Sequence, residues 1–229
     1  MNYEQARFNM IEQQIRPWEV LDSQVLSLLA VIKREDFVPL AHRALAFVDM
    51  EIPLSPHSQP GQCMLAPKVE ARMLQDLNVH KHERVLEIGA GSGYMAALLA
   101  HRAQQVTSLE IDPALARTAR ENLQKAGVYN VEVLQLDGAS LLAHGGAAKA
   151  GLHAPFDVIV LSGSVAEVPR ELLALLKAGG RLGAIVGAEP VMRATLVTRV
   201  DEHAFGHTEA WDTVAPRLLN FPEPSGFSF

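Results

Sequence analysis

The chain is short of the features that would take it out of a reducing aqueous compartment. It has a single cysteine, Cys63, which excludes an internal disulfide and permits a reducing environment. No apolar run reaches the length of a membrane span, and the polar start Met1-Asn2-Tyr3-Glu4-Gln5 lacks the charged-then-apolar layout of a secretion signal. A cytoplasmic protein with no membrane partner is the expectation. No cluster of lysine or arginine stands against the formal net charge of -6, so a nucleic-acid partner is not expected either. Internal repeats and long polar, biased segments are missing too. The 229 residues suit one α/β domain with an N-terminal extension better than two domains.

What is present is an ordered series of helix and strand patterns. Two amphipathic helices come first, about Tyr3 to Ile15 and Ser23 to Val31, the second capped by Asp22. Pro39, Pro53, Pro56, Pro60, Gly61 and Pro67 then interrupt periodicity. Residues 49 to 67 therefore cannot be one regular element, and are expected to cross the surface as a loop of the kind that carries function. From Arg84 onward, Val85 to Ile88, Gln105 to Leu109, Val131 to Leu136, Phe156 to Leu161 and Arg181 to Val186 read as strands. Tyr94 to His101, Pro113 to Ala126 and Val168 to Leu176 read as the helices between them. Such alternation implies a parallel sheet with helices on both faces. The small-residue segment Gly145 to Gly151 reads as a flexible connection, and Ala194 to Val200 with His207 to Val214 as paired strands closing the sheet edge.

The most informative run is Val85-Leu86-Glu87-Ile88-Gly89-Ala90-Gly91-Ser92-Gly93-Tyr94, a buried strand, a glycine turn and a helix start. Gly89, Gly91 and Gly93 let backbone approach a ligand closely, and the helix after them is expected to offer free N–H groups and its positive dipole end to an anionic group. Tyr94 stands where a dinucleotide fingerprint would have its third glycine. The next strand ends in Glu110, placed to accept hydrogen bonds from ribose hydroxyls, and Asp112-Pro113 then starts a helix. Ligands of open parallel sheets sit beyond the carboxyl ends of the strands. Ala90 and Ser92 in the turn, Ile111 after Glu110, Asp137-Gly138 after the third strand and Ser162-Gly163-Ser164 after the fourth are thus further candidates. Asp137 is placed to accept from an adenine amine, with Gly138 leaving space for the ring; the weaker alternative is that the dipeptide is an ordinary turn.

With Glu87 two residues ahead of alternate glycines, the run resembles motif I of class I S-adenosylmethionine-dependent methyltransferases. Over nearly its whole length the chain resembles the protein-L-isoaspartate (D-aspartate) O-methyltransferase family. The matching stretches are Met10 to Gln14, Asp36-Phe37-Val38-Pro39, Ala46 to Asp49 before Pro53-Leu54, Gly61-Gln62, Ala154 to Asp157 and Leu176 to Leu182. The resemblance implies a Rossmann-like fold with a mostly parallel seven-stranded sheet, residues 1–80 supplying helices and the substrate loop and 81–229 the cofactor core of a single domain. It implies a monomer that binds S-adenosylmethionine, releases S-adenosylhomocysteine, and esterifies the misplaced carboxylate of isoaspartyl residues in damaged proteins. The ester then collapses to a succinimide that reopens as normal aspartate. Such a reaction needs no dedicated base, because the carboxylate is already ionised and orientation alone supplies on the order of 7 to 11 kcal/mol at best.

The acceptor half departs from the family. After Gly61-Gln62 the family continues with threonine, an aliphatic residue and serine, whereas this loop runs Cys63-Met64-Leu65-Ala66-Pro67 and has lost both hydroxyls. The family's valine-proline-leucine end reads Ala215-Pro216-Arg217, and Met192 stands where a glutamine is expected. Three readings follow: an isoaspartyl-type carboxyl methyltransferase, a methyltransferase with another acceptor, or a noncatalytic binder of S-adenosylmethionine or S-adenosylhomocysteine. Cys63 has no neighbouring histidine and reads poorly as a nucleophile. His203 and His207 lack a third ligand for a metal. His80 and His82 read as solvated, and Trp18 and Trp211 as packing groups.

Overall fold

Helix capping sets the N-terminal third. In the computed structural model, which describes residues 2–55 and 58–223, Asn2 accepts from the Gln5 N–H and starts α1 (Tyr3–Met10). Met1 and Pro56 lie outside the described residues. The winding continues to Ile15 as expected, but Ile11–Ile15 widens into a π-helical turn and Arg16–Trp18 tightens into a 3-10 turn. Pro17 has no N–H to give an α-helix there. Asp22 accepts from the N–H groups of Gln24 and Val25 and begins α2 (Ser23–Val31). Among its described residues the proline-rich stretch holds only a two-residue ladder, β1 (Ile52–Pro53) against β2 (Cys63–Met64). Pro67, read above as a loop interruption, is instead the first residue of α3 (Pro67–Leu77), a position where a missing N–H is harmless. Val69, Met73, Leu74 and Leu77 bury that helix at helical spacing.

The remainder winds as β3 (Arg84–Ile88), α4 (Tyr94–Ala100), β4 (Gln105–Glu110), α5 (Pro113–Lys125), β5 (Val131–Gln135), α6 (Gly146–Lys149), β6 (Phe156–Val165), α7 (Arg170–Leu173), β7 (Leu176–Ala188), β8 (Val191–Arg199) and β9 (Phe205–Thr213). The sheet has seven strands in the order β5-β4-β3-β6-β7-β8-β9. It is parallel from β5 to β7, and β8 and β9 close the edge antiparallel, as the paired-strand pattern implied. Strand order reverses between β3 and β6, which opens a crevice over the crest of β3. Side-chain alternation divides the core. Val158, Val160 and Val85 pack into the layer made with α1 to α5, while Ile159, Leu161 and Leu86 face the layer containing Leu141, Ala147 and Leu172.

Several expected boundaries move for identifiable reasons. The helix expected over Val168 to Leu176 is only the single turn α7, because Leu176 already pairs with Phe156 in the sheet and Pro169 precedes the first turn. The segment Gly145 to Gly151 is not a loose connection: Gly145, at φ +67°, leads into α6, whose Ala147 is buried. Ser162-Gly163-Ser164 does not follow β6 but lies inside it, at a shift in the register with β7.

Gly138 opens a 3-10 turn (Gly138–Leu142) after β5. A Cβ there would stand 2.3 Å from Ile88 Cγ2, so the core side chain of Ile88, rather than room for a ligand ring, demands glycine. Gly138→Ala is expected to lower stability by about 1–3 kcal/mol through overpacking, read as a shifted urea midpoint; an unchanged midpoint would contradict this account.

Candidate functional site

The crest of β3 is built by backbone that only glycine adopts easily. Gly89, Gly91 and Gly93 have φ of +98°, +52° and +85°. Four of the five N–H groups of the turn from Gly89 to Gly93 are engaged within the protein. Those of Gly89 and Ala90 donate to the Leu109 carbonyl at 2.8 and 3.0 Å, that of Gly93 to the Ala90 carbonyl at 2.7 Å, and that of Tyr94 to Ser92 Oγ at 3.3 Å. The Gly91 N–H donates to Glu110 Oε2 at 2.8 Å. A phosphate would find most donors of the turn itself taken.

Glu110, at the end of β4, also accepts the Asp112 N–H on Oε1 at 3.0 Å. Burial raises its carboxyl above the usual range, against the backbone donors of Asp112, Gly91 and Ile111 that lower it. Asp112 caps α5 through Oδ1, and its Oδ2 accepts from the side-chain amide of Gln62 at 3.2 Å. Three sequence-distant segments, the glycine turn, the start of α5 and the proline-rich loop, are thereby joined through two carboxylates.

Around this joint lies a cleft of about 180 Å³. Of the residues singled out from the sequence, Gly89, Gly91, Glu110, Ile111, Asp137, Gly138, Ser162, Gln62 and Cys63 line it. Glu87, Ala90, Ser92, Gly93, Met64, Leu65 and Pro67 do not. Ala90, Ser92, Gly93 and Met64 are buried, because the turn faces the cleft on one side only. Leu65 packs beside Val69 and Met73, and its carbonyl accepts from Arg34 Nη2 at 2.7 Å. Arg34 is itself fully buried and ion-paired with Glu70. Asp137 is partly engaged: Oδ1 accepts the Ala139 N–H, and Oδ2 the amide of Asn220 at 2.8 Å.

The sequence reading missed the far wall. Residues 215–218 run beside the register shift in β6, where the Ser164 N–H donates to the Pro216 carbonyl at 2.7 Å and the Leu218 N–H to the Ser164 carbonyl at 2.9 Å. Arg217, Leu218, Leu219 and Phe221 thereby line the cleft. A Cβ on Gly163 would lie 2.8 Å from Leu218 Cδ2, so that glycine admits the returning chain. The sequence signals were the altered family end at Ala215-Pro216-Arg217, which the sequence alone does not place at the cleft, and the apolar residues 218, 219 and 221 after it. Pro60, Gly61, Arg217 and Leu219 line both this cleft and a second, open one bounded by Glu51, Lys68, Glu189 and Asp212.

The Cys63 thiol is pushed up to about 12 by burial and then by the adjacent Glu51 carboxylate, 3.5 Å from its sulfur, which keeps it protonated and a poor nucleophile. Trp18 and Trp211 pack against cations, Lys68 and Arg72 respectively, and Trp211 also donates to Asp76 at 2.7 Å. Among the described residues no group of three or more histidine, cysteine, aspartate or glutamate side chains is arranged to hold a metal ion.

Comparison with known proteins bears on this cleft. The family model described as Protein-L-isoaspartate(D-aspartate) O-methyltransferase (PCMT) matches residues 5–213. A protein-L-isoaspartate O-methyltransferase of Methanoculleus marisnigri is 40% identical over 79% of this chain and 77% of its own length. One of Koribacter versatilis is 36% identical over 84% and 81%. The fold superposes with TM-score 0.75 on a crystal structure of a putative protein-L-isoaspartate O-methyltransferase of Plasmodium falciparum in complex with S-adenosyl-L-homocysteine, at 18% identity, covering 95% of this chain and 98% of that one.

Glu87 lies beneath the crest rather than in the cleft, fully buried, accepting from Ser108 Oγ at 2.5 Å and Ser162 Oγ at 2.8 Å. Burial raises its carboxyl from 4.5 to about 7 despite those two hydroxyls. The folded state therefore holds this proton more tightly than the unfolded chain, and the stability it contributes is complete below about 4.5 and lost as pH rises through about 7. Urea melts of wild type and Glu87→Gln at about pH 5 and about pH 8 are expected to diverge, wild type losing on the order of 2–3 kcal/mol more across the interval. Parallel profiles would refute the assignment.

Proposed function

The chain belongs to the protein-L-isoaspartate(D-aspartate) O-methyltransferase family, and on that premise we propose that its cleft binds S-adenosylmethionine and directs methyl transfer to the carboxylate of isoaspartyl residues in damaged proteins. The observation that carries the cofactor reading is the state of the glycine turn. Four of its five N–H groups are spent internally, and the acid Glu110 stands beside the turn where a nucleotide phosphate would need donors. That arrangement suits a cationic ligand with a ribose diol. Each Glu110 oxygen accepts one backbone N–H and keeps a lone pair for a ribose hydroxyl. Asp137 is the proposed acceptor for the adenine amine, between apolar walls from Ile88, Ile111, Leu115 and Phe221. S-adenosylmethionine, when bound, supplies a methyl group already activated on a sulfonium sulfur.

What remains for the protein is placement and exclusion of water. Gln62 and Gly61, held through Asp112, close one side of the cleft, and the strand at Arg217 and Leu218 closes the other. No base is required, and Cys63, kept protonated, has no part in a covalent intermediate. The loop's missing hydroxyls favour one second reading, a different acceptor, because neither Cys63 nor Leu65 replaces them with a comparable hydroxyl donor. We further propose a single-domain cytoplasmic monomer acting on proteins or peptides, not on nucleic acid or at membranes. No described helix is long and apolar enough to cross a bilayer.

Labelled methyl is expected to pass to an isoaspartyl peptide as base-labile ester and not to its normal aspartyl counterpart; tight S-adenosylhomocysteine binding with no labelled peptide would remove this acceptor. Glu110→Ala is expected to weaken S-adenosylhomocysteine binding by about 1–3 kcal/mol, because the ribose hydroxyls and the Gly91 N–H lose their shared acceptor. Calorimetry showing wild-type affinity would count against the ribose assignment.

A further inference from the structure

We propose that Arg217 binds the acceptor's carboxylate and takes over the role left open by the loop's lost hydroxyls, an inference that rests on the carboxyl methyl transfer proposed above. The side chain stands at the partition between the two clefts and lines both. Among the described residues it is the one lysine or arginine on the first cleft, and only Lys68 joins it on the second. Lys68 is already committed to Asp49, 2.7 Å away.

The backbone that carries Arg217 is fixed by the Ser164 ladder, with a further bond from Ser164 Oγ to the Ala215 carbonyl at 2.8 Å. One guanidinium nitrogen lies 3.4 Å from Ser164 Oγ. Its Nε already holds a carboxylate, that of the half-exposed Glu223, at 2.7 Å. That internal pair shows the guanidinium presenting a donor edge to a carboxylate at this spot, with a partner that an incoming one can displace at little cost, since exposed pairs are weak. Arginine also has five donors in a planar fork, so one partner leaves others free.

The surrounding charge makes the residue necessary for this class of acceptor. The second cleft carries Asp49, Glu51, Glu189 and Asp212. Lys68 neutralises Asp49, and Arg193 sits 3.2 Å from Asp212. Among the described residues no ion pair offsets Glu51 or Glu189, and the latter helps raise the Glu51 carboxyl. A carboxylate approaching through that cleft meets net repulsion unless Arg217 receives it. Where the family ends its motif with leucine, the guanidinium thus selects an anionic acceptor, by binding rather than by chemistry.

The test is steady-state methyl transfer from S-adenosylmethionine to an isoaspartyl peptide by wild type, Arg217→Leu and Arg217→Lys, with S-adenosylhomocysteine affinity measured alongside. Arg217→Leu is expected to raise the peptide KM at least tenfold, with kcat changed less than threefold and S-adenosylhomocysteine affinity unchanged; Arg217→Lys is expected to recover most of the loss. Added salt should raise KM for wild type and not for the leucine variant. A leucine variant with a peptide KM within twofold of an active wild type overturns the assignment. So does a loss of peptide and S-adenosylhomocysteine binding together that lysine fails to rescue, which marks a structural role. If wild type itself transfers no methyl to any isoaspartyl peptide, the acceptor reading falls and the Arg217 role with it, a failure visible before any variant is compared.

Discussion

One carboxylate holds the upper surface of this protein together. Glu110 ends β4, yet its two oxygens reach the N–H of Gly91 in the turn after β3 and that of Asp112 at the start of α5. Asp112 passes the connection to Gln62 in the proline-rich loop. A residue that a sequence reader assigns to ligand binding is therefore also a structural joint. The proposed ligand role and the structural one draw on one property: an ionised carboxylate has about four lone-pair sites, and backbone donors occupy only some of them. The buried acid is stabilised by those donors, and its remaining capacity faces the cleft.

A second polar layer lies lower down. Glu87 bridges Ser108 on β4 and Ser162 on β6 across the centre of the sheet. Arg34 and Glu70 form a buried pair whose spare nitrogen holds the Leu65 carbonyl, and Arg7 pairs with Glu35 nearby. Buried pairs of this kind contribute little net stability, since desolvation offsets attraction, but removing one partner is costly. Their effect here is on shape. The loop between β1 and α3 has almost no regular structure, and Arg34 sets the height at which it crosses the cleft.

The two halves of the site differ in how closely they follow the family. The cofactor half keeps the glycine turn and the acids at the ends of β4 and β5. The acceptor half has exchanged neutral hydroxyls in the loop for a thiol held protonated and an aliphatic side chain turned into the core, while a cation has entered from the C-terminal segment. On the Arg217 proposal, polar recognition moves from one wall of the cleft to the opposite one. The Ser164 ladder makes this possible, because it brings a segment 53 residues away in sequence to the same edge.

The elements legible in advance were those with local causes. Asp22 and Asp112-Pro113 announce α2 and α5, alternation announces β3 to β5, and the absence of helical periodicity after Val186 announces the antiparallel edge. Helix α3 was hidden because Pro67 reads as a breaker unless its position at a helix start is known. The glycine turn was recognised but not the engagement of its Gly89, Ala90 and Gly91 N–H groups, since that depends on Leu109 and Glu110 from another strand. By itself the amino-acid order determined the strand and helix alternation, the close-approach glycines and the acids that follow the strands, all of which arise from dihedral limits and nearest neighbours. Only tertiary structure decided that Glu87 is buried, that Gly138 answers to Ile88 and that Arg217 reaches the cleft, because each depends on which distant segments share the crest of the sheet.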